Sequence, residues 1–239
     1  MRQADDFLCP YLVRSLNPDR SVVVLGHRHE MVRKNIPQGL RTEIQEKLLG
    51  TVDAVKKGLK GLKGFKGTVL VLYGDTPLLC KDTVRKLIKF HSENDADATL
   101  LTAQLTKPKG YGRVIRDKYF AVSSIVEEKD ADDFEKEIKE VNTGIMCFKK
   151  DSLEAALGKV RPNNKKKEYY LTDVIKILYS QKKIIEGLKC ESNEEVLGIN
   201  SRMELSRVNG IMRQKINESF MSKGVSILTY FRPIIYKSC

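Results

Sequence analysis

Short apolar runs recur along this chain, and each ends in a glycine or a polar turn. Few folds are compatible with this pattern. The first is Val22–Leu25 and the second covers residues 68–72. Short runs rich in β-branched residues are typical of strands that are buried on both faces, which is the usual situation in a parallel sheet. We therefore expect a sheet that is covered by helices on both sides.

Amphipathic helices are predicted between these runs, because apolar residues recur there every three or four positions. Strands that alternate with such helices are typical of the α/β class. Four later runs, at 98–105, 112–116, 121–127 and 143–148, follow one another too closely for a helix between each pair. Some strands must then be antiparallel, so we expect a mixed, mostly parallel sheet. The apolar helical positions are Val52, Val55, Leu59 and Leu62; Val84, Leu87, Ile88 and His91; and Leu171, Val174, Ile175 and Leu178.

One domain is expected, since 239 residues with 41% hydrophobic content can bury one large core. Its last helix is predicted to start at Ser201, where Ser201 and Glu204 form an S-x-x-E capping box, and to end near Met221. We place the domain at residues 1–224 and interpret 225–239 as a short apolar tail.

The charge and the cysteine content narrow the class of protein. The formal net charge of +12, from 43 Lys and Arg against 31 Asp and Glu, favours anionic partners such as nucleotides. The lysines are spread along the chain with few aromatic residues among them, so we predict no nucleic-acid binding. Five cysteines without a C-x-x-C pair predict reduced thiols in a cytoplasmic protein. No apolar stretch has the length of a membrane span, so no membrane association is expected.

The run at 68–72 is followed by the sequence YGDTPL, which places Asp75 just past the end of a predicted strand. In α/β sheets, ligands bind at the carboxyl ends of the strands. A carboxylate there suits a magnesium ion that bridges nucleotide phosphates. The same residues also fit a simple strand-to-helix turn, in which Gly74 and Pro77 set the backbone and Asp75 is a cap.

Weaker motifs lie downstream. VNTGI at 141–145 follows a strand that ends in Glu127 and Glu128, and amide and carboxylate groups at such positions can hold sugar hydroxyls. GYGR at 110–113 has two glycines that permit a close approach of the backbone to a ligand, or that form a hairpin turn. Two further motifs, EYYLTD and GIN, fit helix starts equally well.

The order and spacing of these motifs are more specific than any one of them. They are LGT at 49–51, YGDTPL at 73–78, GYGR at 110–113, IVEEKDA at 125–131, VNTGI at 141–145, EYYLTD at 168–173 and GIN at 198–200. The series resembles the uridylyltransferase domain of the bacterial bifunctional N-acetylglucosamine-1-phosphate uridylyltransferase/glucosamine-1-phosphate acetyltransferase, over about residues 8–225.

The resemblance implies a Rossmann-like nucleotidyltransferase fold of the glycosyltransferase-A type. It also implies that UTP and N-acetylglucosamine 1-phosphate are joined to give UDP-N-acetylglucosamine and pyrophosphate. Both reactants are anionic, so a metal ion and basic groups are expected to offset their charge. By resemblance, Asp75 and Asn200 would hold a Mg²⁺ ion. The same motifs imply nucleotide contacts from Gln45, Gly50, Thr51 and Tyr73, and sugar contacts from Gly112, Glu127, Asn142, Tyr170 and Thr172.

The chain departs from the family pattern at its amino terminus. The family opens with a strand, a glycine-rich phosphate loop that contains an arginine, and then a lysine. Here residues 11–16 already match its first helix and residues 21–26 its second strand. The loop, its arginine and the lysine have no counterpart, so no catalytic residue is assigned. The absent strand lies in the middle of the family's sheet, so we expect its two neighbours to lack a partner unless residues 225–236 fill the gap.

Other departures concern specificity and assembly. The β-helix repeats of the acetyltransferase domain do not follow residue 224, so acetyl transfer is not expected and the oligomeric state is left open. Val52 and Asp53 stand where the usual bacterial pattern has glycine and histidine, and Lys167 stands where it has glycine. Two other functions remain possible from the residues: a catalytically silent module that binds sugar nucleotides, and a nucleotidylyltransferase for another sugar 1-phosphate.

Overall fold

The computed structural model describes residues 5–162, 164 and 167–227. Within these ranges short strands alternate with helices, which confirms the α/β class predicted from the sequence. The strands are β1 Val22–Leu25, β2 Arg41–Ile44, β3 Thr68–Val71, β4 Ala98–Gln104, β5 Arg113–Arg116, β6 Val122–Val126, β7 Glu140–Lys149 and β8 Ile185–Lys189. The helices are α1 Asp5–Leu16, α2 His29–Arg33, α3 Thr51–Lys60, α4 Lys81–Glu93, α5 Asp133–Lys136, α6 Lys150–Leu157, α7 Asp173–Ser180 and α8 Arg202–Met221.

Six strands form the main sheet, and β7 is its central strand. One side of β7 pairs with β4, which pairs in turn with β8. The other side of β7 pairs with β5 at Val141 and with β3 from Met146 to Lys149, and β6 pairs with β5. Strands β3, β4, β5 and β8 run in one direction, and β6 and β7 in the other. The sheet is mixed, as predicted, but most of its hydrogen-bonded pairs are antiparallel because β7 separates strands that share a direction.

Strands β1 and β2 form a second sheet, which is parallel and has only two strands. Among the described residues, β1 pairs only with β2, and β3 pairs only with β7. Within the described residues each of them therefore has one edge without a neighbouring strand, which is the pairing expected for the two strands that flank the family's first strand. Residues 228–236, which belong to the segment considered as a filler of this gap, lie outside the described residues.

Two hydrophobic clusters cover the two faces of the main sheet. Side chains alternate along a strand, so Leu100 and Phe148 belong to one cluster while Leu101 and Cys147 belong to the other. Helices α3, α6 and α7 contribute to the first cluster, and α1 and α4 pack on the second. The main sheet is thus covered by helices on both sides, as the apolar runs predict.

The last helix, α8, has the limits predicted from the sequence. Its N-cap is Ser201, whose hydroxyl accepts a hydrogen bond from Glu204 N at 3.2 Å. The Glu204 carboxylate accepts from Asn200 N at 2.8 Å, one residue before the position that a capping box requires. Only half of the predicted capping box is therefore formed, and the other bond fixes the backbone of Asn200 instead.

The sequence predicts reduced thiols and no membrane span, and the described cysteines and helices can be compared with these expectations. Cys80, Cys147 and Cys190 are free thiols, while the side chains of Cys9 and Cys239 lie outside the described part of the structure. None of the described helices is both long enough and apolar enough to cross a membrane.

Candidate functional site

Asp75 and Asn200, the two residues predicted to hold the metal ion, both lie close to Gly198. Asp75 follows the end of β3, and its carbonyl oxygen accepts a hydrogen bond from Ile199 N at 2.9 Å. A Cβ added to Gly198 would lie 3.4 Å from Asn200 Nδ2 and 3.8 Å from Asp75 Oδ2. The segment before α8 is thus held at the carboxyl end of β3, where the two side chains border the same space.

The surroundings of the Asp75 carboxyl disfavour its negative charge. Burial raises the pKa of Asp75 above its ordinary value of 3.8, a backbone hydrogen bond lowers it, and the carboxylate of Glu204 raises it again. Tyr111 closes this region, because its hydroxyl donates to Val196 O at 3.2 Å and accepts from Gly198 N at 3.3 Å. A carboxylate in such a place is stabilised by a cation beside it.

Tyr73 connects the Asp75 region with the rest of the site. Burial and then the charge of Glu127 raise the pKa of Tyr73 to about 12, against the lowering effect of a hydrogen bond with the Thr51 side chain, and Asp75 adds a smaller rise. The Tyr73 ring lies so close to Gly144 that any Cβ at that position would collide with it. Tyr73 therefore lies between Thr51, a predicted nucleotide contact, and Glu127, a predicted sugar contact.

The carboxyl ends of β1 and β2 border a cavity of about 340 Å³ on the nucleotide side. Gln45 directly follows β2, and its backbone N–H donates to Leu25 O at 2.8 Å. Its side-chain Nε2 donates to Gly50 O and to Asp53 Oδ2, both at 3.0 Å. Ligands of α/β sheets bind at this end of the strands. The cavity is lined by Gly26, His27, Arg28, His29, Gln45, Glu46 and Leu48.

The loop that contains Gly50 is bound to the EYYLTD segment. Tyr169 N donates to Leu49 O at 2.9 Å, and Leu171 N donates to Thr51 Oγ1 at 2.8 Å. Gly50 has a φ of +115°, and a Cβ there would lie 2.5 Å from Tyr169 O. Only glycine fits this position, because both the backbone angle and the neighbouring carbonyl exclude a side chain.

Glu127 is at the centre of the residues predicted to contact the sugar. Its Oε1 accepts a hydrogen bond from Thr172 Oγ1 at 3.0 Å, and its Oε2 would lie 3.4 Å from a Cβ added to Gly112. Gly112 O accepts from Asn142 N at 2.9 Å, and Asn142 Oδ1 accepts from Gly144 N at 3.1 Å. A carboxylate, a hydroxyl and an amide thus meet around the Gly112 backbone, and groups of these kinds can bind sugar hydroxyls.

Asn142 differs in its setting from the sequence prediction, in which the strand begins at residue 143. It lies inside β7, which begins at Glu140. Pairing with β4 extends β7 across this polar sequence, since Asn142 is opposite Thr102. Tyr170 is half-buried among carboxylates, and burial followed by the charge of Glu168 raises its pKa to about 12.

The predicted residues lie in one continuous region, which borders the carboxyl ends of β1, β2, β3 and β6 and the first residues of β7. Gln45 donates a hydrogen bond to Gly50 O, and the Thr51 side chain is hydrogen-bonded to Tyr73. Tyr73 in turn is close enough to Asp75 and Glu127 for their charges to raise its pKa. Within the residues that the structure describes, no group of three or more His, Cys, Asp or Glu side chains could hold a metal ion. A metal ion bound by Asp75 and Asn200 would then take its other ligands from water or phosphate oxygens, as Mg²⁺ does in many sites.

Sequence reasoning missed three residues that shape the site: Asp53, Tyr111 and Glu204. Tyr111 lies within the GYGR motif, and Glu204 was interpreted only as part of a helix cap. Asp53 was noted as a departure from the bacterial pattern, and that departure was the signal that could have indicated its contact with Gln45.

The chain is similar to several known proteins. The model of the nucleotidyl transferase family matches residues 12–190. The bifunctional protein GlmU of Enterococcus faecalis is 40% identical over 216 residues, which are 90% of this chain and 47% of that protein. The bifunctional protein GlmU of Clostridioides difficile is 43% identical over 208 residues, which are 87% of this chain and 45% of that protein. The chain spans about half the length of the curated relatives it matches.

Solved structures of UDP-glucose pyrophosphorylase have the same fold. The complex with UDP-glucose superposes with a TM-score of 0.67 at 12% identity, over 87% of this chain and 86% of that one. The structure without ligand gives a TM-score of 0.65 at 11% identity, over 91% of this chain and 86% of that one. Together with the family match over most of the sequence and the site at the sheet edge, these likenesses establish that the chain belongs to the nucleotidyl transferase family.

Proposed function

We propose that this chain carries a uridylyltransferase site that joins UTP and N-acetylglucosamine 1-phosphate to give UDP-N-acetylglucosamine and pyrophosphate. The family match, the relatives named bifunctional protein GlmU and the motif series support this reaction. The single observation that carries it is the convergence of Asp75 and Asn200 beside Gly198, next to Tyr73, between a nucleotide-side cavity and a sugar-side cluster.

The reaction exchanges one phosphorus–oxygen bond for another. A phosphate oxygen of the sugar phosphate bonds to the α-phosphorus of UTP, and the bond from that phosphorus to the oxygen of the β-phosphate breaks. Pyrophosphate leaves with that oxygen. The two reactants are anions, and Asp75 and Glu127 add further negative charge, so the site needs cations to bring the reactants together.

We propose Mg²⁺ as the cofactor, held by Asp75 and Asn200. Mg²⁺ prefers oxygen ligands and is commonly bound by one or two protein groups together with water and phosphate oxygens. The Asn200 atom nearest Gly198 is Nδ2, and a half-turn of the amide brings its oxygen to the same place. When bound, Mg²⁺ offsets the charge of the phosphates and polarises the phosphorus that is attacked. The raised pKa of Asp75 fits this role, because a bound cation stabilises the ionised carboxylate.

The sugar side orients the second substrate. Thr172 donates to Glu127 Oε1, and a carboxylate is a group that accepts hydrogen bonds from sugar hydroxyls. Asn142 is held by its bond with Gly144 N, so its NH₂ group can donate to the same ligand. We also propose a cytoplasmic location, which the free thiols of Cys80, Cys147 and Cys190 support.

The test measures pyrophosphate release from UTP and N-acetylglucosamine 1-phosphate, together with calorimetric binding of UDP-N-acetylglucosamine. We expect slow release that requires Mg²⁺ and both substrates. Asp75→Asn should lower the rate about 100-fold, because it weakens the binding of the Mg²⁺ ion that would offset the charge of the phosphates in the transition state. Asp151→Asn, an equivalent change at an exposed position of α6, should leave the rate unchanged.

Three results are distinguishable. Mg²⁺-dependent release that Asp75→Asn abolishes supports the proposal. Binding of UDP-N-acetylglucosamine without any release makes the chain a sugar-nucleotide-binding module instead. Absence of both release and binding, in a protein that is folded by circular dichroism, contradicts the proposed function.

A further inference from the structure

We propose that Asp53 sets the base specificity of the nucleotide site, by holding Gln45 so that only its carbonyl oxygen faces the base. The inference rests on the proposed function, since it assigns a nucleotide to the cavity at the ends of β1 and β2. It concerns Asp53, which is not part of the predicted contact set and whose carboxylate contacts the Gln45 amide directly.

The orientation of the Gln45 amide follows from its two partners. The partners, Gly50 O at 3.0 Å and Asp53 Oδ2 at 3.0 Å, are both oxygen atoms. A backbone carbonyl and an ionised carboxylate can only accept hydrogen bonds, so the Gln45 atom that faces them must be nitrogen. Both hydrogens of the amide are used in this way, and Gln45 itself is only 8% exposed.

The remaining polar atom of Gln45 is its carbonyl oxygen, Oε1, which lies at the cavity. A Cβ added to Gly26 would be 3.9 Å from this oxygen, and Gly26 and Gln45 both line the 340 Å³ cavity. Among the described residues no protein group donates a hydrogen bond to Oε1. Gln45 Oε1 is therefore a hydrogen-bond acceptor on the cavity wall that no described protein group satisfies.

An acceptor at this position distinguishes bases by the hydrogen on their ring nitrogen. Uracil carries N3–H, which can donate to Gln45 Oε1. Cytosine has a bare N3, which is an acceptor and would leave two lone pairs facing each other without a hydrogen between them. Leaving buried polar atoms unpaired in this way costs enough to change affinity by about tenfold or more. The arrangement therefore selects UTP over CTP, two nucleotides of nearly equal size.

Asp53 is the residue that keeps the Gln45 amide in a single orientation, with Oε1 towards the base. With Gly50 O as the only partner, turning the amide would cost a single hydrogen bond, which a new bond from Nε2 to the ligand could offset. Asp53 takes the second hydrogen from the first turn of α3, where a negative charge is also favoured by the helix dipole. Without its carboxylate, either face of the Gln45 amide could meet the base.

The test compares the dissociation constants of UTP and CTP, each with Mg²⁺, for the full chain and its variants. The protein as it is should bind UTP about tenfold more tightly than CTP. Asp53→Ala should bring the two constants within about threefold of each other, because the freed amide can donate to cytosine N3. The ratio is measured on one preparation, so a loss of folded protein lowers both apparent affinities equally and leaves the ratio unchanged.

Gln45→Ala and the double variant Asp53→Ala with Gln45→Ala complete a cycle. If Asp53 acts through Gln45, the two variants should show the same UTP to CTP ratio, whatever their stability. A preference for UTP that persists in Asp53→Ala, or equal binding of UTP and CTP by the unmodified chain, overturns the role of Asp53 while leaving the proposed function intact. Failure to bind either nucleotide overturns the proposed function and this inference with it.

Discussion

The two sheets of this molecule differ in how firmly they are held. In the main sheet, every residue of β4 from Ala98 to Ala103 is buried, and helices cover both faces. In the small sheet, Leu25 is the only buried residue of β1, and β2 has none. Strand pairing does not join the two sheets within the described residues, so α3 and the Gly50 loop connect them.

This difference divides the site as well. The sugar-side residues Glu127, Asn142 and Thr172 stand on or beside the main sheet, while Gln45 and its cavity stand at the end of the small one. We infer that the sugar half is set by a stable core and the nucleotide half by a region that opens more easily. Ligand-binding elements are commonly drawn from such regions of lower local stability.

The largest difference should appear when apolar side chains are truncated in the two sheets. Phe148→Ala removes a fully buried ring from β7 and should lower the free energy of unfolding by about 4 kcal/mol. Val24→Ala in β1, where the side chain is only half-buried, should cost about 1 kcal/mol. Urea denaturation followed by circular dichroism measures both. Equal costs would show that the small sheet is packed as tightly as the main one.

The contribution of the Gly50 loop, which connects the two sheets, can be tested by substituting Gly50. A Cβ there would lie 2.5 Å from Tyr169 O, so Gly50→Ala should release the loop and lower the free energy of unfolding by about 3 kcal/mol. Gly39→Ala is the matched control, since Gly39 has a φ of +89° with nothing within 4 Å of the added Cβ, and should cost about 1 kcal/mol. Similar costs for both would mean that the loop moves freely away from Tyr169.

The charge of the Asp97 carboxylate, which directly precedes β4, is expected to stabilise the main sheet. Burial alone would raise its pKa, but hydrogen bonds from Ser152 at 2.5 Å and Ile184 N at 3.1 Å, with Lys183 at 3.2 Å, together lower it below 3.8. A lowered carboxyl pKa adds stability above the unfolded pKa, and that stability is lost as the pH falls through the folded pKa. Asp97→Asn should therefore cost about 2 kcal/mol at pH 7 and less near pH 3.

The control for Asp97 is Asp151→Asn, which changes the same charge at an exposed position and should alter stability by less than about 0.5 kcal/mol at either pH. Thermal unfolding at both pH values provides the comparison. A cost of Asp97→Asn that is equal at pH 7 and pH 3 would contradict the assigned direction of the pKa shift.

The smallest effect is expected on the sugar side, where the main sheet already fixes the geometry. Thr172→Val removes the hydroxyl that donates to Glu127 Oε1 at 3.0 Å, while keeping the shape of the side chain. Binding of UDP-N-acetylglucosamine should weaken about fivefold, since one hydrogen bond contributes about 1 kcal/mol. Thr83→Val on α4 serves as the matched variant, and an equal loss of affinity in both would show that Thr172 has no part in binding.

The sequence predicts the main sheet better than the small one, and the reason is burial. The runs at 98–105 and 143–148 are rich in apolar residues because β4 and β7 are covered on both faces. Strand β2 has the sequence RTEI and β8 has IEGLK, and neither was predicted, because only tertiary pairing with β1 and β4 makes such polar segments extended.

The site shows the same limit at the level of single side chains. Motif order predicted that Asp75 and Asn200 belong together, and the structure brings them to the same glycine. The contact of Asp53 with Gln45 depends on the rotamers of two residues that α3 brings together, and no spacing rule contains it. The direction of the Glu204 carboxylate, towards Asn200 N instead of Ser201 N, was missed for the same reason.

Amide hydrogen exchange tests most directly whether the nucleotide half of the site stands on the weaker sheet. In the free protein, amides of β1 and β2 should exchange well before those of β4 and β7, because they open locally without global unfolding. UTP with Mg²⁺ at 100 times its dissociation constant should then slow exchange in β1 and β2 about 100-fold. Equal exchange of β1 and β4 in the free protein, or no slowing of β1 and β2 when UTP is bound, would contradict this division of the site.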